Sequence, residues 1–573
     1  MGWLKTGFLG EAARLAWPYW KSDEKWAARG LIAAVVVLNL VAVWLNVRLN
    51  IWNRDFYDAL QEYDWARCWW QFGVFCMIAA AWVIVAVYNL YLRQILHIRW
   101  RRWMTERFLK SWLNAQAYYR IQLDQSVTDN PDQRISDDLN RFTSLTLSLS
   151  LGLLDSLVTL FSFLFILWEL SGVLTIPLWG GGSFQLHGYL VIVAFVYAFI
   201  GSWLTHWVGS PLAALIFDQQ RYEADFRFSM VRLRENAESV AFYRGEEREY
   251  GVFDRRFARV VSNWWDIIRR RKKLTWFTAS YGQIAVFVPM LAAMPRFFAK
   301  QIQLGGVMQI ISAFGSVQDS LSYIVSSYTD IAEYRSVVDR LGGFGGRLTH
   351  IAAEQEKPQP IAIERGGEGV EVSGLSLNLP DGQGLREGIA LSANAGQPVL
   401  ITGPTGAGKS TLLRAIAGLW PFGRGKVRVG DGSMLFLPQR PYLPLGSLAD
   451  ALVYPGQATA ERRGELEAAL RAVGLFYLVE HLDERGNWAQ RLSIGEQQRI
   501  GFARVLLARP EIVFLDEATS ALDEAGEAAL YRLLREADWR PTIVSVGHHG
   551  TLRRFHETIV DLGHRNITEA ADG

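Results

Sequence analysis

Long apolar runs crowd the first 335 or so residues of this 573-residue chain and are missing from the rest. A helix needs about 20 apolar residues to cross a bilayer. Inside lipid the backbone must bond to itself, so such a run is all but obliged to be helical. Six segments qualify or nearly so: 30–48, 70–92, 145–168, 188–208, 275–298 and 306–328, the last diluted by Ser and Gly. From residue 368 onward the chain reads as a soluble α/β domain. The expected architecture is therefore a six-span α-helical domain (1–341), a linker (342–367) and an α/β domain (368–573). The linker is marked by Gly342-Gly-Phe-Gly-Gly346 and Lys357-Pro-Gln-Pro360.

The basic residues orient the spans, because segments rich in Lys and Arg stay on the cytoplasmic side. Lys5, Arg14, Lys21, Lys25 and Arg29 precede the first span. The 93–144 connection carries Arg93, Arg99, Arg101, Arg102, Arg107, Lys110, Arg120, Arg134 and Arg141, and the 209–274 connection ends in Arg269-Arg-Arg-Lys-Lys273. In contrast, 49–69 has only Arg54 and Arg67, and 169–187 has no basic residue. The N-terminus and, after six spans, the C-terminal domain are expected in the cytoplasm. Both long connections have helical, charged patterns and are long enough to reach that domain. Residues 172–187 suggest a short hairpin around Gly180-Gly-Gly.

A net charge of +2 gives no case for nucleic acid, and Cys68 and Cys76, near or in an apolar run, make neither a disulfide framework nor a zinc site. The N-terminus lacks the short apolar core of a cleavable signal.

The stretch Gly403-Pro404-Thr405-Gly406-Ala407-Gly408-Lys409-Ser410-Thr411 fits the phosphate-cradling pattern G-x-x-x-x-G-K-[ST]. Val399-Leu-Ile401 before it reads as a strand and Thr411 to Ile416 as a helix, the context the motif requires. Backbone N–H groups of such a loop wrap phosphates, and the helix N-terminus favours the anion. Lys409 would reach the β- and γ-phosphates of ATP and Ser410 would ligand Mg²⁺. Further along, Glu511-Ile-Val-Phe-Leu-Asp516-Glu517 reads as a buried strand ending in two carboxylates. Asp516 suits Mg²⁺, and Glu517 suits polarising the attacking water.

Between these motifs lies Leu492-Ser493-Ile-Gly495-Glu496-Gln-Gln-Arg499, which resembles the signature motif of ATP-binding cassette proteins. By that resemblance Gln439 matches the Q-loop and a ligand near Mg²⁺, Ser520-Ala-Leu-Asp523 the D-loop, and His548 the switch histidine, with His549 as an alternative. The resemblance implies a half-transporter. Its signature residues Ser493, Gly495 and Glu496 would act on ATP held by another copy's phosphate loop, so a homodimer is the simplest assembly. Ile98-Arg-Trp-Arg-Arg-Trp-Met-Thr105 and Asp129-Asn-Pro-Asp-Gln-Arg-Ile-Ser136 are similar to the subgroup holding the SbmA/BacA-like bacterial transporters and the peroxisomal fatty-acyl transporters. Bacterial members imply an inner-membrane location and uptake of peptides, cobalamin or other hydrophilic compounds. Peroxisomal members imply acyl-CoA.

The chain departs from the family pattern in three places, one being that His549 directly follows the switch histidine. Ile494 and Glu496 replace residues of the usual LSGGQ, although Ser493 and Glu496 keep the spacing of a capping box. The adenine-stacking aromatic would fall near Leu379, which is apolar but not aromatic.

The last apolar segment carries Ser312, Ser316 and Ser320 at four-residue spacing, beside Asp319, Tyr323 and Ser327. A polar strip on a spanning helix either lines an aqueous cavity or hydrogen-bonds to neighbouring helices. Asp319 favours the cavity. Ser316, Asp319, Tyr323, Asp155 and Glu169 are accordingly the candidate substrate residues, Glu169 being either a solvated end-of-span carboxylate or a proton-linked gate. The reading is an ATP-driven importer of hydrophilic compounds. Its rivals are an exporter or acyl-CoA transporter, and a nucleotide-gated regulatory or channel subunit.

Overall fold

A computed structural model describes residues 7–123, 130–177, 183–547 and 550–563. The chain forms two compact units, one of 1–113 with 129–349 and the other of 114–128 with 350–573.

The first unit is helical. Its long helices are α1 (Lys25–Gln61), α2 (Trp65–Leu113), α3 (Leu139–Ser171), α4 (Tyr189–Glu235), α5 (Glu246–Phe298), α6 (Leu304–Ser326) and α7 (Tyr328–Gln355). Each predicted apolar segment falls in one of the first six, apart from residue 188 and residues 327 and 328. At 1.5 Å per residue, the 37 residues of α1 reach roughly 55 Å, well beyond a ~30 Å hydrocarbon core. Helices α1 to α5 are long and apolar enough to span a membrane. The predicted sixth, α6, is helical but falls short on apolarity, because Gln309, Gln318, Asp319 and several serines dilute it. Its place explains this: it packs against α1, α3, α4 and α5, burying Gly305, Gly306, Ala313 and Phe314.

Aromatic stacking ties the ends of this unit together. Tyr19 stacks on Trp100 at 5.6 Å, Trp100 meets Phe142 edge-on at 5.9 Å, and Phe142 stacks on Tyr334 at 5.8 Å. Trp100 is 1% exposed, so truncating it to alanine would cost about 3–5 kcal/mol. Helices α4 and α5 are clasped by Tyr197 and Tyr281, whose rings stack at 4.4 Å. Each hydroxyl donates to the other's carbonyl oxygen, at 2.6 and 2.8 Å. The expected hairpin pairs Val173–Pro177 with Ser183–His187 antiparallel; Gly180 itself lies outside the described residues.

Much of the 342–367 range expected as a linker is regular structure. Helix α7 continues to Gln355, and a strand occupies Ile361–Arg365. The glycines that suggested a break instead permit close helix packing: a Cβ at Gly342 would lie 2.0 Å from Glu11, and one at Gly345 would touch the Phe108 ring at 3.8 Å.

The second unit is the α/β domain. A five-stranded parallel sheet runs in the order Thr558–Asp561, Val399–Thr402, Thr542–Val546, Ile512–Asp516, Met434–Leu437. Strands of such a sheet are covered on both faces and read as continuous apolar runs; Ile512 to Leu515 are all buried. A four-stranded sheet (Ile361–Arg365, Gly423–Val429, Val370–Asn378, Gly384–Ala393) packs with it in one core. Residues 114–123 cluster with this unit, and Leu123, at the end of the Ala117–Leu123 helix, packs against that core. Positive φ at Ala115 and Gln116 marks the chain's exit from α2.

Candidate active site

The catalytic-looking residues gather at the C-terminal ends of the parallel strands. Val399–Thr402 leads into the glycine-rich loop, and helix Lys409–Ile416 follows it. Gly406 and Gly408 adopt φ of +82° and +90°, a region L-residues rarely enter, so the turn into the helix depends on them. Lys409 Nζ donates to the carbonyl oxygens of Gly403 and Pro404, both at 2.9 Å, which holds the ammonium within the loop. Burial lowers its pKa, opposed by Glu517 and Asp516.

Ser410 Oγ donates to Asp516 Oδ1 at 2.9 Å. A hydroxyl and a carboxylate so placed are hard oxygen donors of the kind Mg²⁺ prefers. No cluster of three or more His, Cys, Asp or Glu suited to a metal occurs among the described residues. The donor set thus fits Mg²⁺ shared with phosphates and water, the usual mode for this ion. Burial raises the pKa of Asp516, while the Ser410 hydrogen bond opposes the rise.

Glu517 ends the same strand in a left-handed conformation, φ +49°. That conformation is uncommon for a residue with a side chain. It is anchored by Glu517 N–H donating to Val546 O at 3.1 Å. Gln439 Nε2 lies 3.3 Å from both Glu517 Oε2 and Ser520 Oγ. The structure therefore brings Lys409, Ser410, Asp516, Glu517 and Gln439 together. His548 and His549, two and three positions past the strand Thr542–Val546 in the sequence, lie outside the described residues.

The capping box forms as its spacing predicted. Ser493 Oγ accepts from Glu496 N–H, and Glu496 Oε2 accepts from Ser493 N–H at 2.7 Å, starting helix Ile494–Ala508. Glu496 Oε1 also accepts from the Tyr477 hydroxyl. Burial alone would raise its pKa, but the bonds from Tyr477 and Ser493 pull it below the ordinary value. Gly495 lies against the D-loop, where a Cβ would approach Ala521 O to 3.1 Å. Asp523 caps helix Glu524–Arg535 through Gly526 N–H at 3.0 Å. Leu379 is partly buried against the domain core.

Gln498 escaped the sequence reading, although it sits inside the quoted signature stretch. It is 1% exposed. Its Nε2 donates to Gln439 O at 3.0 Å and Ser520 Oγ at 3.2 Å, and its Oε1 accepts from Ala521 N–H at 3.0 Å. One side chain thus joins the signature helix to the Q-loop and D-loop.

In the helical unit the candidate cavity residues divide. Asp155, Glu169 and Asp319 are exposed. Ser316 Oγ donates to Ser312 O within its own helix. The Tyr323 hydroxyl donates to Leu149 O at 3.1 Å, and its ring packs so closely on Gly152 that a Cβ there would clash. That is helix-to-helix packing.

A helical membrane domain joined to a P-loop ATPase domain defines the class. Two families match it: "ABC transporter transmembrane region 2" over residues 16–298 and "ABC transporter" over residues 387–520. The inner membrane ABC transporter ATP-binding protein YddA of Escherichia coli is 32% identical over 95% of this chain and 96% of its own. The lysosomal cobalamin transporter ABCD4 of Homo sapiens is 30% identical over 82% of this chain and 80% of its own. The solved structure of a bacterial Atm1-family ABC exporter with ATP bound shares the fold, with a TM-score of 0.73 at 17% identity, covering 93% of each chain. The chain belongs to the ATP-binding cassette transporters, as a half-transporter whose ATP-binding domain hydrolyses ATP coupled to transport.

Proposed function

We propose that two copies of this chain form a bacterial inner-membrane importer of hydrophilic compounds such as peptides or cobalamin. Each ATP would sit between Lys409, Ser410, Gln439, Asp516, Glu517 and His548 of one copy and Ser493 and Gly495 of the other. The phosphate loop cradles the phosphates, Glu517 orients and activates the attacking water, and Gln439 senses the site from the adjoining loop. Mg²⁺, held by Ser410 and Asp516, would neutralise charge on the phosphates. ATP binding draws the two ATPase domains together and reorients the membrane cavity; hydrolysis releases them. The glycine loop, Asp523 and the N-terminus would all face the cytoplasm, in keeping with the basic connections.

The observation that carries the ATPase reading is the convergence of Ser410, Asp516, Glu517 and Gln439. The hydrophilic cargo is supported by the exposed carboxyl side chains of Asp155 on α3 and Asp319 on α6, two helices that pack together. The lysosomal relative, a cobalamin transporter, supports cobalamin in particular, and the Escherichia coli relative, an inner membrane protein, supports the inner membrane. The likeness to an exporter concerns the fold and leaves export or acyl-CoA transport as the second reading. A regulatory subunit without turnover is disfavoured by the retained Glu517.

The test is reconstitution in vesicles with ATP on the side of the ATPase domain. Labelled peptide, cobalamin and acyl-CoA are assayed separately. ATP-dependent movement of peptide or cobalamin toward the ATP side is the expected result. Movement of acyl-CoA, or movement away from the ATP side, would replace this reading with the second one.

A further inference from the structure

Glu527 is 1% exposed, in the first turn of helix Glu524–Arg535. Burying a carboxyl group is costly unless its oxygens are bonded, and each oxygen of Glu527 accepts from a threonine hydroxyl. Oε2 accepts from Thr519 at 2.8 Å, and Oε1 accepts from Thr551. These threonines belong to different segments. Thr519 is 3% exposed and lies two residues after Glu517, in a turn closed by Ser520 N–H donating to Glu517 O at 3.1 Å. Thr551 lies in the Gly550–Phe555 turn, three residues after His548 in the sequence.

We infer that Glu527 is a positioning residue for ATP hydrolysis, a bridge that fixes the Glu517 turn to the segment following His548. The inference rests on the ATPase reading above. Glu527 lies outside the phosphate-loop helix and the strand that carries Asp516. It acts by setting the separation of the Glu517 turn and the Gly550–Phe555 turn. An apolar residue could fill the same space, but only a side chain ending in two polar atoms can join both hydroxyls. The neighbourhood of this bridge is closely packed. Tyr531, one turn along the helix, is fully buried, donates to Ser545 Oγ at 3.1 Å, and stacks on Phe555 at 5.6 Å. The Thr519 and Thr551 bonds lead from this helix toward the Glu517 turn and the Gly550–Phe555 turn. Small misplacements at a reacting centre can cost about a hundredfold in rate. Loss of the bridge should therefore lower kcat while leaving the phosphate loop, and hence ATP affinity, alone.

The experiment measures steady-state ATPase kinetics of the full chain in lipid nanodiscs. The variants are Thr519→Val, Thr551→Val, the pair together, Glu527→Gln and Glu527→Leu. Each threonine variant should reduce kcat about tenfold or more at unchanged KM for ATP. The pair should be no worse than either alone, because one break already severs the bridge. Glu527→Gln keeps an oxygen acceptor and a second polar atom that a rotated hydroxyl can meet, so it should retain more kcat than Glu527→Leu. Additive losses in the pair, or a wild-type kcat in either threonine variant, would overturn the inference. The threonine variants keep it testable even where Glu527→Leu fails to fold. Glu517→Gln serves as the control: wild-type turnover there sinks the ATPase reading itself, whereas inactive Glu517→Gln with unaffected bridge variants sinks only this inference.

Discussion

Ser410 and Asp516 are joined by a hydrogen bond of 2.9 Å, which links the first turn of the phosphate-loop helix to the end of a central parallel strand. The next residue, Glu517, leaves that strand with φ +49°, turning its carboxyl group toward Gln439. This geometry separates the two carboxylates by role. Asp516 is tied to the hydroxyl suited to Mg²⁺, whereas Glu517 is held next to a loop glutamine, where an attacking water would be oriented. Glu517→Gln should therefore leave ATP binding intact and lower kcat by about 10²–10⁴-fold, the usual worth of a general base. Nucleotide binding measured beside phosphate release checks it. Near-normal release would remove Glu517 from the chemistry.

The composite site makes a prediction about assembly. Ser493 starts a helix that packs on its own chain's D-loop near Ala521, and in the proposed dimer it faces the partner's phosphate loop. With Cys68 and Cys76 replaced by serine, Ser493→Cys combined with Thr405→Cys should crosslink between chains when ATP is added. The dimer band on a non-reducing gel is the readout. Absence of an interchain product in every nucleotide state, from an active protein, would contradict the shared site.

The features legible in the sequence were those that local chemistry dictates. Lipid forces apolar runs into helices, so their positions could be read within a few residues. The phosphate loop and the Ser493–Glu496 cap are short-range patterns with a mechanism attached. The features that escaped depend on distant partners. Gly342 and Gly345 looked like a linker, yet they lie in a helix because Glu11 and Phe108 approach them. The sequence pattern could not show that Tyr323 has Leu149 O and Gly152 as neighbours. The stretch Asp129–Ser136 was informative only as a family likeness. Its physical role appears in Arg134, which with Arg340 encloses Asp138: Arg340 reaches both oxygens, at 2.8 and 2.7 Å, and Arg134 adds a third bond at 2.9 Å.

That cluster is itself testable. The Asp138 side chain is 3% exposed, and the Arg340 bonds join the start of α3 to α7. Removing one partner of a buried ion pair costs about 3–5 kcal/mol. Asp138→Ala should lower the thermal midpoint of the helical unit, with Asp138→Glu less harmful. An unchanged midpoint in Asp138→Ala would show that the arginines find other acceptors at no cost.

His556 gives a pH dependence. Its Nδ1 donates to Leu552 O at 2.7 Å, so Nε2 is free to accept from Ser545 Oγ at 2.8 Å. The ring is thus satisfied while neutral. Burial lowers its pKa below the ordinary value of about 6.5, opposed by the Leu552 carbonyl. The unfolded chain then binds the proton more readily than the folded one, and stability rises with pH across that window. The contribution is complete above about pH 6.5 and is lost as pH falls through the depressed folded value. Thermal melts of the protein between about pH 8 and pH 5 should show the ATPase domain losing stability toward the acid end. His556→Gln should flatten that slope relative to the parent; an unaltered slope would mean that other groups carry it.

The cavity prediction turns on two neighbours in α6. Asp319 is exposed, whereas Val317, two residues earlier, is fully buried against the helices around it. In a background lacking Cys68 and Cys76, Asp319→Cys should react with a charged, membrane-impermeant thiol reagent. Val317→Cys should stay protected. If Asp319 lines a central chamber that opens to alternate sides, the rate of labelling should also change between ATP-bound and nucleotide-free protein. Tyr323→Phe supplies the complementary measurement. It removes one interhelical hydrogen bond, worth about 0.6 kcal/mol on average in membrane proteins, and should alter stability slightly without altering cargo selection. Labelling of Asp319→Cys that ignores nucleotide would place this carboxylate on a static surface. Loss of cargo selection in Tyr323→Phe would restore a cavity role to the hydroxyl that packs against Leu149.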